Sequence, residues 1–203
     1  MNEVFETVWK IWSDGGWLML PLGLLGAFIY ATILNIHFHL GFLLAHESDP
    51  DLWKHWVDKP GEGHGVIGSM IQHAQTDVEA ITDIRRRVFQ LKQLHLSRID
   101  SRIRLAAVLV STAPLAGLLG TVTGMLSTFA GLGASSGGNT IDLVAGGISE
   151  ALITTQTGLV LAIPGYVLIN LVKRKRDRLD HFLNQLEILT IQSFEQDAKE
   201  RTT

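Results

Sequence analysis

The sequence predicts an all-α integral membrane protein with three transmembrane helices, the amino terminus outside, and helices extending into the cytoplasm. Three observations lead there. From Leu105 to Ile141 there is no Asp, Glu, Lys, Arg or His, and beyond Asp142 the only charged side chain before Lys173 is Glu150. A second uncharged run covers Gly15 to Ile36. Apolar runs of this length exceed the roughly 20 helical residues needed to cross hydrocarbon. Lys and Arg are also segregated: they crowd residues 39–104 and the stretch after Val172, while the amino terminus holds only Lys10 and the 131–142 turn holds none. By the positive-inside rule the two basic regions are cytoplasmic.

Composition agrees with this class. The 203 residues are 46% hydrophobic and 18% charged, below the quarter or so of charged residues usual in soluble domains. Cysteine is absent, so neither a disulfide scaffold nor a thiolate metal site is available.

Residues 1–14 place Trp9 and Trp12 beside Lys10 among Val4, Phe5, Val8 and Ile11, which reads as a periplasmic interfacial helix. Residues 15–38 form the first span, with Pro21 near its start where a missing N–H costs least. It is not expected to be a cleaved leader, because acidic Glu3, Glu6 and Asp14 precede it in place of a basic n-region. Residues 39–104 form a cytoplasmic helical region. Within it Pro60-Gly-Glu-Gly-His-Gly65 is a breaker, and Val78, Ile81, Ile84, Val88, Leu91, Leu94 and Ile99 make an apolar helical stripe. The basic side chains that flank the stripe lack aromatic interleaving, so nucleic-acid binding is not expected.

The second span covers 105–130. Ala116, Gly120 and Gly124 fall four apart, a small-residue stripe that admits a close helix neighbour. Thr112, Thr121, Thr123 and Thr128 can return hydroxyl bonds to their own helix, and Pro114 removes one backbone donor. After a short periplasmic turn at 131–142, the third span covers 143–172. Glu150, Thr154, Thr157 and Leu161 share one side of it, while Gly147, Ala151, Thr155 and Gly158 form an adjacent strip. That arrangement could leave one side wet above a bend at Pro164. A carboxylate in a span is costly and usually faces a bundle interior, cavity or ion path. The alternative for Glu150 is placement near the outer interface, and for the threonines simple helix packing. Residues 173–203 form a cytoplasmic helix and tail that start at the basic anchor Lys173-Arg-Lys-Arg176.

Other chemistries find little support. None of the eight histidines lies in span two or three beside Ser127 or Ser149, so no nucleophile and base pair forms there. His37 and His39 lack a nearby acid at metal-ligand spacing. The Gly131–Gly138 cluster lacks the Lys-Ser/Thr ending of a phosphate loop. No enzyme activity, cofactor or metal is expected.

Two motifs then stand in order. Ser111-Thr-Ala-Pro114-Leu-Ala-Gly117-Leu-Leu-Gly120-Thr121-Val-Thr-Gly124-Met is followed, after the turn, by Gly147-Ile-Ser-Glu150-Ala-Leu-Ile-Thr-Thr155-Gln-Thr-Gly158-Leu-Val-Leu-Ala-Ile-Pro164. Together they resemble the MotA/TolQ/ExbB proton-channel family, on its ExbB/TolQ side. The resemblance implies a homo-oligomer, a pentamer around a pore, that receives the single spans of an ExbD- or TolR-like partner and drives a TonB- or TolA-like protein. It implies that Thr121 and Thr155 face the pore, that Glu150 is the acidic residue of the third span, and that Pro114 and Pro164 shape the helices. Thr154, Thr157 and Gly158 extend the polar and close-packed track. Thr154 and Gln156 depart from the family, which more often has alanine there. A purely structural membrane scaffold is the competing expectation.

Overall fold

The computed structural model describes residues 2–44, 54–57, 59–75, 80–134 and 140–200. Parts of the expected 39–104 region and residues 135–139 of the expected turn lie outside the described residues. Regular structure among the described residues is helical throughout: α1 (Asn2–Asp14), α2 (Met19–Leu44), a 3-10 turn (Pro60–Glu62), α3 (Gly65–Gln75), α4 (Ile81–Ala134) and α5 (Thr140–Glu200). By length and composition, α2, α4 and α5 each contain a stretch able to cross a membrane. In α4 an amphipathic stripe passes into an apolar one, and Pro114 is the one proline inside it; no breaker separates the two characters, so a single helix carries both.

The chain forms two compact units. The first comprises Met1–Ile33 with Leu105–Ile169. Here α1 closes on the Gly15 N–H, which donates to the Ile11 carbonyl at 3.0 Å, and Gly16 turns the chain with φ +68°. A left-handed residue just past a helix end is the usual glycine device for reversing direction. The reversal lays the Trp12 ring over Gly23 of α2. Met19, Leu22, Ile29 and Ile33 bury one side of α2, whereas Leu20, Leu24 and Phe28 are exposed on the other. The Tyr30 hydroxyl donates to the Leu161 carbonyl at 2.9 Å. That carbonyl lies one residue beyond Val160, whose usual helical donor is missing at Pro164. Tyr30 thus braces α5 where its own ladder is weakest.

The second unit comprises Leu34–Arg104 with Asn170–Thr203. Its core joins Ala74 of α3, Ile84 and Val88 of α4, and the partly buried Ile191 and Phe194 of α5. Leu179, Phe182, Leu183 and Leu186 continue the buried face of α5. Each such side chain contributes about 1.5–3 kcal/mol by leaving water. Polar groups lock the same elements. Arg176 holds Asp100 in a two-point fork, Nε to Oδ1 at 2.7 Å and Nη2 to Oδ2 at 2.9 Å. Lys92 bonds Asn184 and pairs with Glu187 at 3.0 Å. Lys175 Nζ stands 2.9 Å from His37 Nε2. Of the basic anchor, Lys173 and Arg174 are exposed, whereas Lys175 and Arg176 are half-buried in these contacts.

A candidate helix seam and its carboxylate

Within the first unit, α4 and α5 run antiparallel and touch through residues too small to keep them apart. From one end to the other the contacts pair Gly165 with Val110, Gly158 with Ala113 and Gly117, Gly120 with Thr154, Gly124 with Ala151, and Gly147 with Thr128. The backbones are close enough that a Cβ on Gly117 would stand 2.8 Å from the Thr154 carbonyl oxygen, and one on Gly158 2.6 Å from that of Ala113. Both distances are inside van der Waals contact, so glycine is required by space. Small residues at three- and four-residue steps keep facing one neighbour along a helix, which is why the seam continues along the hairpin.

The hydroxyls in this hairpin are committed to backbone carbonyls. Thr155 Oγ1 donates across the seam to Gly117 O at 3.2 Å and approaches Ala151 O at 3.4 Å. Thr154, fully buried against Gly120, donates to Ala151 O at 2.8 Å. Thr157 donates to Ile153 O at 2.8 Å, and Thr121 to Leu118 O at 2.7 Å. Each hydroxyl keeps lone pairs for accepting, so a water or carboxyl proton could still be received there.

The structure thus gathers Thr154, Thr155, Gly120, Gly124 and Gly158 into one seam. Ala116 is half-buried, and the residue that meets α5 beside it is Gly117. Thr121 is half-buried with its hydroxyl turned back on its own helix. Pro114 and Pro164 lie inside α4 and α5. On the side of α5 that carries Glu150, Thr157 and Leu161, each half-buried, Leu161 packs on Gly26 of α2, Ile153 on Gly15, and the Glu150 carboxylate on Gly16. The Glu150 side chain has neither an ion pair nor a hydrogen bond among the described residues. Gly16, Gly117 and Ala113 join the site from the structure, as does the pairing of Gly147 with Thr128. Gly117 and Ala113 carry a spacing signal, because they sit at helical steps from Gly120.

No group of three or more potential metal ligands clusters among the described residues. Within the 143–172 stretch of α5 the one charged side chain is Glu150, whose carboxylate lies against Gly16 of the α1–α2 turn.

Residues 64–185 match the MotA/TolQ/ExbB proton channel family. The biopolymer transport protein exbB1 of Vibrio cholerae is 29% identical over 142 residues, covering 68% of this chain and 61% of that protein. The biopolymer transport protein ExbB of Pseudomonas putida is 40% identical over 115 residues, covering 55% of this chain and 34% of that protein. ExbB of Aquifex aeolicus is 38% identical over 92 residues, covering 45% and 62% respectively. The chain thus spans less than two thirds of the length of each. The matched stretch includes the α4–α5 seam and Glu150, and the chain belongs to the MotA/TolQ/ExbB proton channel family, on its ExbB-like branch.

Proposed function

We propose that this chain is the ring-forming subunit of a proton-motive-force-driven motor of the bacterial inner membrane, working with an ExbD-like single-span partner to power TonB-dependent outer-membrane import. The observation that carries the reading is the one carboxylate of the 143–172 span, Glu150, held beside a glycine and threonine seam inside the family-matched region. A carboxylate at that depth is retained against a desolvation cost, which is the pattern of ion pathways. Only 33%, 28% and 28% of the residues in the three most apolar helical stretches are buried within the chain. Lipid, further copies and a partner span are the surfaces that suit the remainder. A pentamer around the partner helices, with a TonB-like protein beyond it, fits that need. The distribution of Lys and Arg supports an outside amino terminus and an inside carboxyl terminus.

A TolQ-like role in envelope maintenance would use the same parts. One observation favours a second reading, a non-conducting scaffold: the protons of Thr121, Thr154, Thr155 and Thr157 already serve backbone carbonyls, as helix packing alone would require. Proton flux in liposomes that contain the chain with its single-span partner separates the two. Flux should require the partner's membrane carboxylate and fall with Glu150→Gln or Thr155→Ala. Flux unchanged in all three variants, or an assembled pair with no conductance, would reject the conducting reading.

A further inference from the structure

The turn between α1 and α2 has two adjacent glycines, and both are pressed against α5. A Cβ on Gly15 would stand 2.9 Å from Ile153 Cγ2, and also too near Met19. A Cβ on Gly16 would overlap Glu150 Oε1 and stand 2.6 Å from its Cδ and 3.3 Å from its Cγ. Glu150 and Ile153 are three residues apart, hence neighbours on one face of α5. The turn backbone therefore lies along that face, with the carboxylate under Gly16. Two independent constraints meet at this residue. Its φ of +68° disfavours side chains other than those of Asn or Asp, and the carboxylate beneath must shift to admit any of them.

We infer that Gly16 is a positioning residue for Glu150: the Gly15–Gly16 turn covers the carboxylate and fixes its orientation, and any side chain at position 16 turns it away. The inference deepens the proton-pathway reading and rests on it only for the consequence to flux. The carboxylate is held by shape, with no cation or hydrogen-bond donor on it among the described residues. Its orientation then depends on the backbone that covers it.

The test uses the full chain with its partner in liposomes and measures the rate at which dicyclohexylcarbodiimide labels Glu150, read by peptide mass spectrometry. Gly16→Ala should change that rate several-fold. Gly146→Ala, whose Cβ would meet open space one turn away on α5, should leave it unchanged. Gly16→Asn should act at least as strongly as Gly16→Ala, although Asn tolerates the backbone angle; a mild Asn effect would mean strain alone and would overturn the inference. In a Glu150→Asp background the carboxyl carbon withdraws to about the position of Cγ and its oxygens to about that of Cδ, so the overlap shrinks and adding Gly16→Ala should change labelling less than it does beside Glu150. Should Gly16→Ala fail to assemble, recovery of assembly by Glu150→Asp supports the contact and continued failure rejects it. Labelling unchanged by Gly16→Ala sinks the inference whatever flux does. Changed labelling with flux unaffected upholds the positioning and counts against the proton pathway.

Discussion

Thr155 of α5 donates its hydroxyl to the carbonyl of Gly117 on α4 at 3.2 Å, across a seam whose glycines leave no room for a Cβ. This bond joins the two helices side chain to backbone. Thr155→Ala should weaken the hairpin by about 0.5–1.5 kcal/mol, with Thr155→Ser restoring most of it. Denaturant titration of the purified protein in detergent measures this, and equal stability of the Ala and Ser variants would contradict the role given to the hydroxyl.

Space at Gly120 is the next dependence. A Cβ there would stand 2.5 Å from Thr154 Cβ, an atom fixed to the α5 backbone that no rotamer change can move. Gly120→Ala should therefore cost about 1–3 kcal/mol. Gly146→Ala, with open space around it, should stay within about 0.5 kcal/mol of wild type. The pair can be compared by the same titration. Similar losses at both positions would mean that helix flexibility, not seam packing, sets the stability.

The sequence made the helices and their three apolar stretches legible, because uncharged runs as long as Leu105–Ile141 admit few other readings. It was less informative about which small residue faces which helix. Ala116, Gly117 and Gly120 are all small, and single-helix spacing cannot tell the Ala116 stripe from the Gly117 stripe until a partner helix is in place. The polar side with Glu150, Thr154 and Thr157 suggested water for the same reason: periodicity groups side chains but does not say what covers them. Here Gly15, Gly16 and Gly26 bring backbone and aliphatic groups onto that side. Arg176 likewise looked like part of a generic membrane flank, since its partner Asp100 lies far away in sequence.

That fork from Arg176 to Asp100 gives a prediction in the second unit. The two side chains are only 23% and 30% exposed, and the hydrogen bonds to Asp100 hold the guanidinium pKa above its ordinary value. Arg176→Lys keeps the charge but loses the planar two-point geometry. It should cost about 1–3 kcal/mol, allowing for partial exposure. Hydrogen exchange around Asp100 reports the loss locally, and protection equal to wild type would show that charge alone suffices.

His95 on α4 gives the unit a pH dependence of defined sign. Burial first, then the neighbouring Arg98 and His39, hold its imidazole below the ordinary value of 6.5. The folded protein therefore binds that proton less readily than the unfolded chain. Above the unfolded value both states are neutral at His95 and its contribution is fully present. As pH falls through about 6.5 toward the lower folded value, the unfolded chain takes up the proton first and stability is lost. Amide exchange over residues 84–99 should thus be faster at about pH 5.5 than at about pH 7.5, after correction for the intrinsic rate. His95→Gln supplies the reference: it should flatten the pH dependence relative to wild type. An unchanged slope in that variant would assign the acid sensitivity of this segment to other groups.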